Sequence, residues 1–349
     1  MRKRLVSILI PNYNYGRYLR NCLESILNQT YDNIEVIFRD NRSTDNSFEI
    51  AQEYRLKFLK RGFFCSIAQN KYNLGSSLNS SKCFYDSEGD YVIYLSSDDA
   101  IKPDFVEKCV KILDANQDVG MVITHRDEID EDGNITSTPP FYNVDCIVPG
   151  ESQAAVFMMA GIGVPSQCMI RRLPYLKSRG EAGLAFMVAG DWFNNFLVSC
   201  YADIAYLTEA LCYYRVHRGN ETNESELNLV GIFEHYQLIN TFMMIAERHH
   251  MKKPQLRYQE AVEKLGSMCL RYALKMLKSN ENYAAQRYLL LAPVFKSNIV
   301  AEASYQQLLK CISLHGKELE QAVLEFQVTN NLNRTVSYAP PEGFILLDV

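Results

Sequence analysis

The regular alternation of short apolar runs with helical periods over the first 124 residues constrains this chain most. Residues 6–10 form an apolar run of buried-strand length, and residues 18–27 set Leu19, Cys22, Leu23, Ile26 and Leu27 on one helical face. A strand over 34–38 follows, then a helix beyond Ser47 carrying Phe48, Ile50, Ala51, Tyr54 and Phe58. A third strand over 62–66, a weaker helix over 80–85 and a strand over 91–95 continue the series. The spacing predicts a helix over 103–113, with Pro103 near its first turn where a missing N–H costs little, and a last strand over 121–124. Strands alternating with helices predict an α/β fold, a mostly parallel sheet covered on both faces. Asp132-Gly133 signals a hairpin turn.

Beyond Glu226 the pattern changes. Leu256, Ala261, Val262, Leu265, Met268, Cys269, Tyr272, Ala273 and Met276 keep helical spacing. Further helical periods occupy residues 283–291, 301–312 and 319–326, and no strand signal returns before Gly343-Phe344-Ile345. The expected organisation is an α/β domain over 1–220 followed by an all-helical C-terminal domain over 221–349. A chain of 349 residues exceeds one ordinary core, which agrees with two domains.

Composition narrows the function classes. A net charge of −5 argues against a nucleic-acid partner. No window approaches the roughly 18 apolar residues of a transmembrane segment. The run behind Arg2, Lys3 and Arg4 is too short for a signal peptide. The ten cysteines are scattered with no Cys-x-x-Cys pair, the usage of buried thiols in a reducing compartment.

Ligands of an open parallel sheet bind at the carboxyl ends of its strands. The polar clusters fall there: Pro11, Asn12, Tyr13 and Asn14 after the first strand, residues 40–45 after the second, and Ser96, Ser97, Asp98 and Asp99 after "YVIYL". Each cluster also has an ordinary loop reading, and Asp45 and Asp104 read best as helix caps. The Asp98-Asp99 doublet resists that reading. One carboxylate suffices for a cap, and a second beside it adds repulsion unless a cation offsets it. Mg²⁺ and Mn²⁺ bind one or two carboxylates, waters and substrate phosphates, so a metal–diphosphate site accounts for the pair.

"VSILIPNYNYGRYLRNCLESILNQTYDNIEVIFRDNRSTDNS", continuing through "GDYVIYLSSDD" and "GDW" to "YRVHRGN", resembles the family 2 inverting glycosyltransferases of the GT-A fold over about residues 4–220. The resemblance implies a Rossmann-like sheet with helices on both faces. It implies that Pro11 and Tyr13 line the nucleotide base and that Asp40, otherwise a turn residue, accepts the imide N–H of uracil or thymine. Asn73 and Gly75 would approach the nucleotide, Ser97 would sit by the ribose, and Asp98 would bind Mn²⁺ or Mg²⁺ with Asp99 in support. Two positions depart from the family pattern: Ser96 replaces an acidic residue, and Leu78 stands where a basic residue is frequent.

On the acceptor side, Asp191 reads from residues alone as a helix N-cap, and the resemblance makes it the general base of an inverting displacement. Trp192 either stacks on an acceptor sugar or belongs to the core. Tyr213, Arg215 and His217 alternate onto one side of an extended segment. The resemblance gives Arg215 to the diphosphate and His217, otherwise a structural histidine, to the metal or a phosphate. The expected activity is transfer from a UDP-sugar, or less readily a dTDP-sugar, to a glycan or lipid-linked acceptor. The expected location is cytoplasmic, with peripheral membrane association and homo-oligomerisation through the C-terminal helices both open. A non-catalytic nucleotide-sugar-binding protein is the alternative, favoured by Ser96 and opposed by Asp191, Arg215 and His217. A nucleotidyltransferase would need a glycine- and lysine-rich loop that residues 12–17 do not form.

Overall fold

The computed structural model describes residues 3–179, 186, 188–217, 225–330 and 336–348. Strands β1 (Val6–Asn12), β2 (Ile34–Asp40), β3 (Phe64–Gln69) and β4 (Tyr91–Tyr94) run parallel, in the order β4-β1-β2-β3. Helices α1 (Gly16–Leu27), α2 (Ser47–Arg61) and α3 (Ser76–Tyr85) cross between them, as the sequence periods predict. The weaker third helix begins four residues earlier than expected.

After the two-residue strand β5 (Ala100–Ile101) come α4 (Phe105–Ala115), β6 (Val119–Ile129) and the short strands β7 (Ile135–Thr136) and β8 (Cys146–Val148). Helix α5 (Gly150–Met159), β9 (Cys168–Arg171), α6 (Arg172–Arg179), α7 (Gly190–Ser199) and β10 (Asp203–Arg215) complete this half. Strand β6 runs five residues past the apolar run over 121–124, its pairing with β10 continuing to Ile129 through polar residues that stay largely buried. Strand β9 is inserted antiparallel between β4 and β6, and β10 pairs parallel with β6. The carboxyl ends of β1, β2, β3, β4, β6 and β10 therefore share one edge. Helix α7 returns the chain to the opposite edge, where β10 begins, so its N-terminus lies on the ligand edge.

The C-terminal half is a stack of helices: α8 (Val230–Arg248), α9 (Lys252–Leu256), α10 (Tyr258–Lys278), α11 (Asn282–Phe295), α12 (Ala303–Cys311) and α13 (Gly316–Thr329). Two features change the expected division. The boundary expected at 220/221 lies outside the described residues, and the chain does not stay helical to its end. Strand β11 (Ile345–Leu346) returns to the first half and pairs antiparallel with β8, so the sheet order reads β11-β8-β10-β6-β9-β4-β1-β2-β3. Nor do the halves have separate cores. Leu9, Ile37 and Val92 on one sheet face share a continuous apolar cluster with α5, α7 and the C-terminal helices, while Val6, Ile8 and Ile10 on the other face pack with α1, α2 and α4. Period-two alternation in β1 distributes its side chains between these clusters.

The seam is aromatic. Phe242 of α8 stacks on Phe196 of α7 at 3.9 Å between ring centroids and lies parallel to Phe193 at 6.5 Å. Phe242 is fully buried. Its truncation to alanine is expected to cost about 3–5 kcal/mol. Chemical denaturation should show this as one shifted cooperative transition reporting both halves; two separate transitions, only one of them shifted, would contradict the shared core.

Candidate active site

The Asp98-Asp99 doublet follows β4, and the structure gives its two carboxylates different surroundings. Asp99 is 1% exposed and both its oxygens are engaged: Oδ1 accepts the backbone N–H of Arg215 at 2.8 Å, and Oδ2 accepts Ser166 Oγ–H at 2.6 Å. Ser166, in the short 3₁₀ turn Pro165–Gln167 before β9, in turn accepts the N–H of Ser96 at 3.0 Å. Asp99 thus fixes the ends of β4 and β10 and the approach to β9 against one another, a supporting role and not a free metal ligand. Burial, followed by the neighbouring Asp98 charge, pushes its pKa up to about 7.

Asp98 pairs with His217, whose Nε2 lies 3.1 Å from Asp98 Oδ2, both side chains being largely buried. Burial raises the Asp98 pKa, against the pull of His217. The Asp98–His217 pair offers one carboxylate and one imidazole to a divalent cation. Among the described residues no cluster of three or more His, Cys, Asp or Glu side chains forms a metal cage. This donor set fits an ion completed by substrate phosphates and water. Rings of Tyr15 and Tyr18 flank His217 at 5.8 Å and 5.1 Å between centroids.

Three residues, two expected at the donor and one on the acceptor side, are occupied within the protein. Asp40 is fully buried and accepts four hydrogen bonds: from Asn12 Nδ2 at 2.9 Å, Ser43 N at 2.9 Å, Ser43 Oγ at 2.5 Å and Gln69 Nε2 at 2.9 Å. It organises the ends of β1, β2 and β3, and the expected pairing with a pyrimidine imide N–H would compete with these four bonds. Arg215 is 5% exposed; its Nε donates to the Asp98 carbonyl at 2.9 Å, its Nη1 to the Asp130 carbonyl at 2.7 Å, and its guanidinium lies over Tyr18. It builds the floor beneath the doublet. Trp192 is 9% exposed, donates Nε1–H to the Phe157 carbonyl at 2.6 Å and packs so closely on Gly161 that a Cβ there would lie 3.1 Å from the indole. Of its two readings the core one is observed, which removes it from the acceptor surface.

Pro11 and Tyr13 stand at the β1 end, Tyr13 being 41% exposed and open to the cleft. Ser97 is buried, with its hydroxyl 3.4 Å from the Pro11 carbonyl. Asn73 accepts Asn41 Nδ2–H and the Gly75 N–H, both at 2.8 Å, and shapes the turn into α3. Gly75 has φ +79°, a conformation glycine adopts without strain. Asp45, expected to cap, receives Gly16 N–H at 2.8 Å and Ser47 N–H at 3.0 Å, serving the starts of both α1 and α2. Asp104 holds the N-cap position of α4 without a side-chain cap bond.

Asp191 is the second residue of α7 and half-buried, and its Oδ1 accepts the Trp192 N–H at 2.7 Å. Ala189 occupies the N-cap position, so capping is not its task. Burial raises the Asp191 pKa, and the charge of Arg126 opposes this. Arg126, on the last part of β6, is a charged neighbour of these carboxylates that the sequence reading did not single out. Its guanidinium lies 4.3 Å from the centre of the Tyr214 ring, and Nη1 donates to Gln167 Oε1 at 3.1 Å. The charges of Asp98, Asp99 and Asp191 all act on Tyr214, and Arg126 acts on both Asp99 and Asp191. Asp98, Asp99 and Asp191 therefore lie within electrostatic reach of Tyr214 and Arg126 at this end of the sheet. The signal in the sequence was "THRDEI", three consecutive charged residues directly after an apolar run.

The family model for glycosyl transferase family 2 matches residues 7–172. An uncharacterized glycosyltransferase of Haemophilus influenzae is 31% identical over 234 residues, which cover 63% of this chain and 67% of that protein. Chondroitin synthase of Escherichia coli is 37% identical over 136 residues, 39% of this chain and 19% of the synthase. The chain thus spans less than a fifth of that relative's length. Among solved structures, S. aureus TarS 1-349 matches the fold with a TM-score of 0.54 at 16% identity, over 85% of this chain and 92% of TarS 1-349. The chain belongs to glycosyl transferase family 2, a class of transferase, and has the GT-A fold with a helical C-terminal region.

The raised Asp99 pKa has a definite pH signature. Its folded-state value of about 7 lies above the unfolded value of about 3.9, so its contribution to stability is complete below the unfolded value and is lost as pH rises through 7. Thermal unfolding should show this decline between about pH 4 and pH 7, with no further loss from this group above it. Added Mn²⁺ should raise the midpoint more at the alkaline end, where protons compete less for the Asp98 carboxylate, whose pKa burial raises. A metal effect independent of pH would contradict the assignment.

Proposed function

We propose that this chain is an inverting glycosyltransferase that transfers a sugar from a UDP-sugar, with a dTDP-sugar second, to a glycan or lipid-linked saccharide. The observation that carries the reading is the Asp98–His217 pair at the same end of the sheet as Asp191, both aspartates within electrostatic reach of Tyr214 and Asp191 within reach of Arg126. Inversion needs a base on the face of the sugar away from the departing diphosphate, and Asp191, its pKa raised by burial, suits that work. Asp191 takes the acceptor hydroxyl proton as oxygen attacks the anomeric carbon. Arg126 supplies a cation for the phosphates. Mn²⁺ or Mg²⁺ held by Asp98 and His217 supplies charge that stabilises the leaving nucleoside diphosphate.

Two fold relatives support the ligand class. S. aureus TarS 1-349 is known in complex with UDP-GlcNAc, and a Pyrobaculum calidifontis mannosyltransferase in complex with GDP-Man and Mn²⁺. No helix among the described residues is long and apolar enough to cross a membrane. A cytoplasmic location with peripheral contact at the inner membrane face, and self-association through the C-terminal helices, complete the proposal.

A panel of UDP-, dTDP- and GDP-sugars with Mn²⁺, followed by nucleotide release and by binding, tests the reading. Binding without turnover across varied acceptors would return the chain to the non-catalytic alternative. Asp191→Asn should lower kcat by about 100-fold or more while UDP affinity stays within about twofold. Retained turnover in that variant removes Asp191 as the base. Asp98→Ala should weaken Mn²⁺-dependent UDP binding by about tenfold, and unchanged binding would exclude it as the metal ligand.

A further inference from the structure

We infer that Glu234, on helix α8 of the C-terminal region, is a positioning residue for Asp191. The inference rests on the assignment of Asp191 as the base and goes beyond it, because it gives the C-terminal helices a part in the transfer reaction.

Helix α7 carries Asp191 in its first turn but has no side-chain cap of its own. The N–H groups at a helix start have no partner within the helix and need an acceptor from elsewhere. Here it comes from across the seam. Glu234 Oε2 accepts the Val188 N–H at 2.6 Å and the Ala189 N–H at 2.9 Å. The Glu234 side chain is nearly buried, so these bonds are not exchanged readily for water. Its charge also sits at a helix N-terminus, where the macrodipole favours an anion.

The next residue of α8 holds the other side. His235 meets the Trp192 indole edge-on at 5.4 Å between ring centroids, and burial lowers its pKa to about 4, which keeps it neutral. The Trp192 N–H, meanwhile, is fixed to the Phe157 carbonyl. Asp191 therefore stands between Ala189, bonded to Glu234, and Trp192, which packs on His235. Its carboxylate accepts the backbone N–H of Trp192, so its direction follows the backbone of residues 189–192. Misplacement of a reacting group by about 1 Å can cost about 100-fold in rate, so a base carried on a helix tip depends on whatever holds that tip.

The test compares Glu234→Ala and the isosteric Glu234→Gln. Glu234→Ala should lower kcat by about tenfold or more, with the donor KM and Mn²⁺-dependent UDP affinity within about twofold. Glu234→Gln keeps one carbonyl acceptor and should recover most of that loss. Amide hydrogen exchange should accelerate over residues 188–192 in Glu234→Ala and not at the ends of β1 and β2. In an Asp191→Asn background, Glu234→Ala should cause little further loss, since both changes then disable one group. Wild-type kcat in Glu234→Ala, unchanged exchange over 188–192, or the same fold loss in the Asp191→Asn background would each overturn the inference. Activity of Asp191→Asn itself would instead overturn the base assignment, and exchange over 188–192 would still show whether Glu234 holds the helix tip.

Discussion

The site depends on one buried carboxylate. Asp99 joins Arg215 at the end of β10 to Ser166 before β9, and Ser166 passes the connection to Ser96 at the end of β4. Asp98 is the residue before Asp99, and His217 is two residues beyond Arg215. The spacing within the Asp98–His217 pair is therefore inherited from a knot beneath it. Removing one partner from such a buried arrangement leaves polar groups unsatisfied and typically costs about 1–3 kcal/mol for each. The adjacent charges that looked costly in the sequence have separate tasks, one structural and one paired with His217.

The sheet and its crossings were legible because burial writes period-two and period-3.6 patterns directly into the chain. Val6, Ile8 and Ile10, or Leu19, Cys22, Leu23 and Ile26, have no reason to be apolar except the faces they cover. The three polar strand ends were legible for the complementary reason, that polar residues at the end of a buried strand need a purpose. Purpose, however, is not direction. Asp40 and Arg215 were expected at the ligand because a charge in a cleft invites that role, yet each is consumed by neighbours that only the fold brings together. Asn12 and Gln69 meet Asp40 from two other strands, and the Asp130 carbonyl meets Arg215 from the β6–β7 turn. Trp192 was balanced between core and surface until α8, a helix some forty residues later, settled it.

Arg126 and Glu234 show the opposite failure. Arg126 lies on a strand that outlasts its own apolar run, and the register that sets it opposite Cys212 of β10 is a long-range fact with no local signature. Glu234 sits within an apolar helical period, where a single acid reads as an exposed interruption. Its two acceptor contacts depend on how α8 crosses α7, which the aromatic seam around Phe242 decides. Tertiary packing, not propensity, selected these two residues.

The returning strand β11 bears on how the molecule comes into being. Ile345 pairs with Ile147, more than half the chain earlier, so the outer edge of the sheet stays open until almost all the described residues have been synthesised. Pairing across such a separation carries a large loop-closure entropy and forms late. Until it forms, β8 presents unpaired backbone groups, a template for strands of other chains. The helical half, with its many local contacts, has every opportunity to assemble first, and the last strand then closes the edge over an already built cleft.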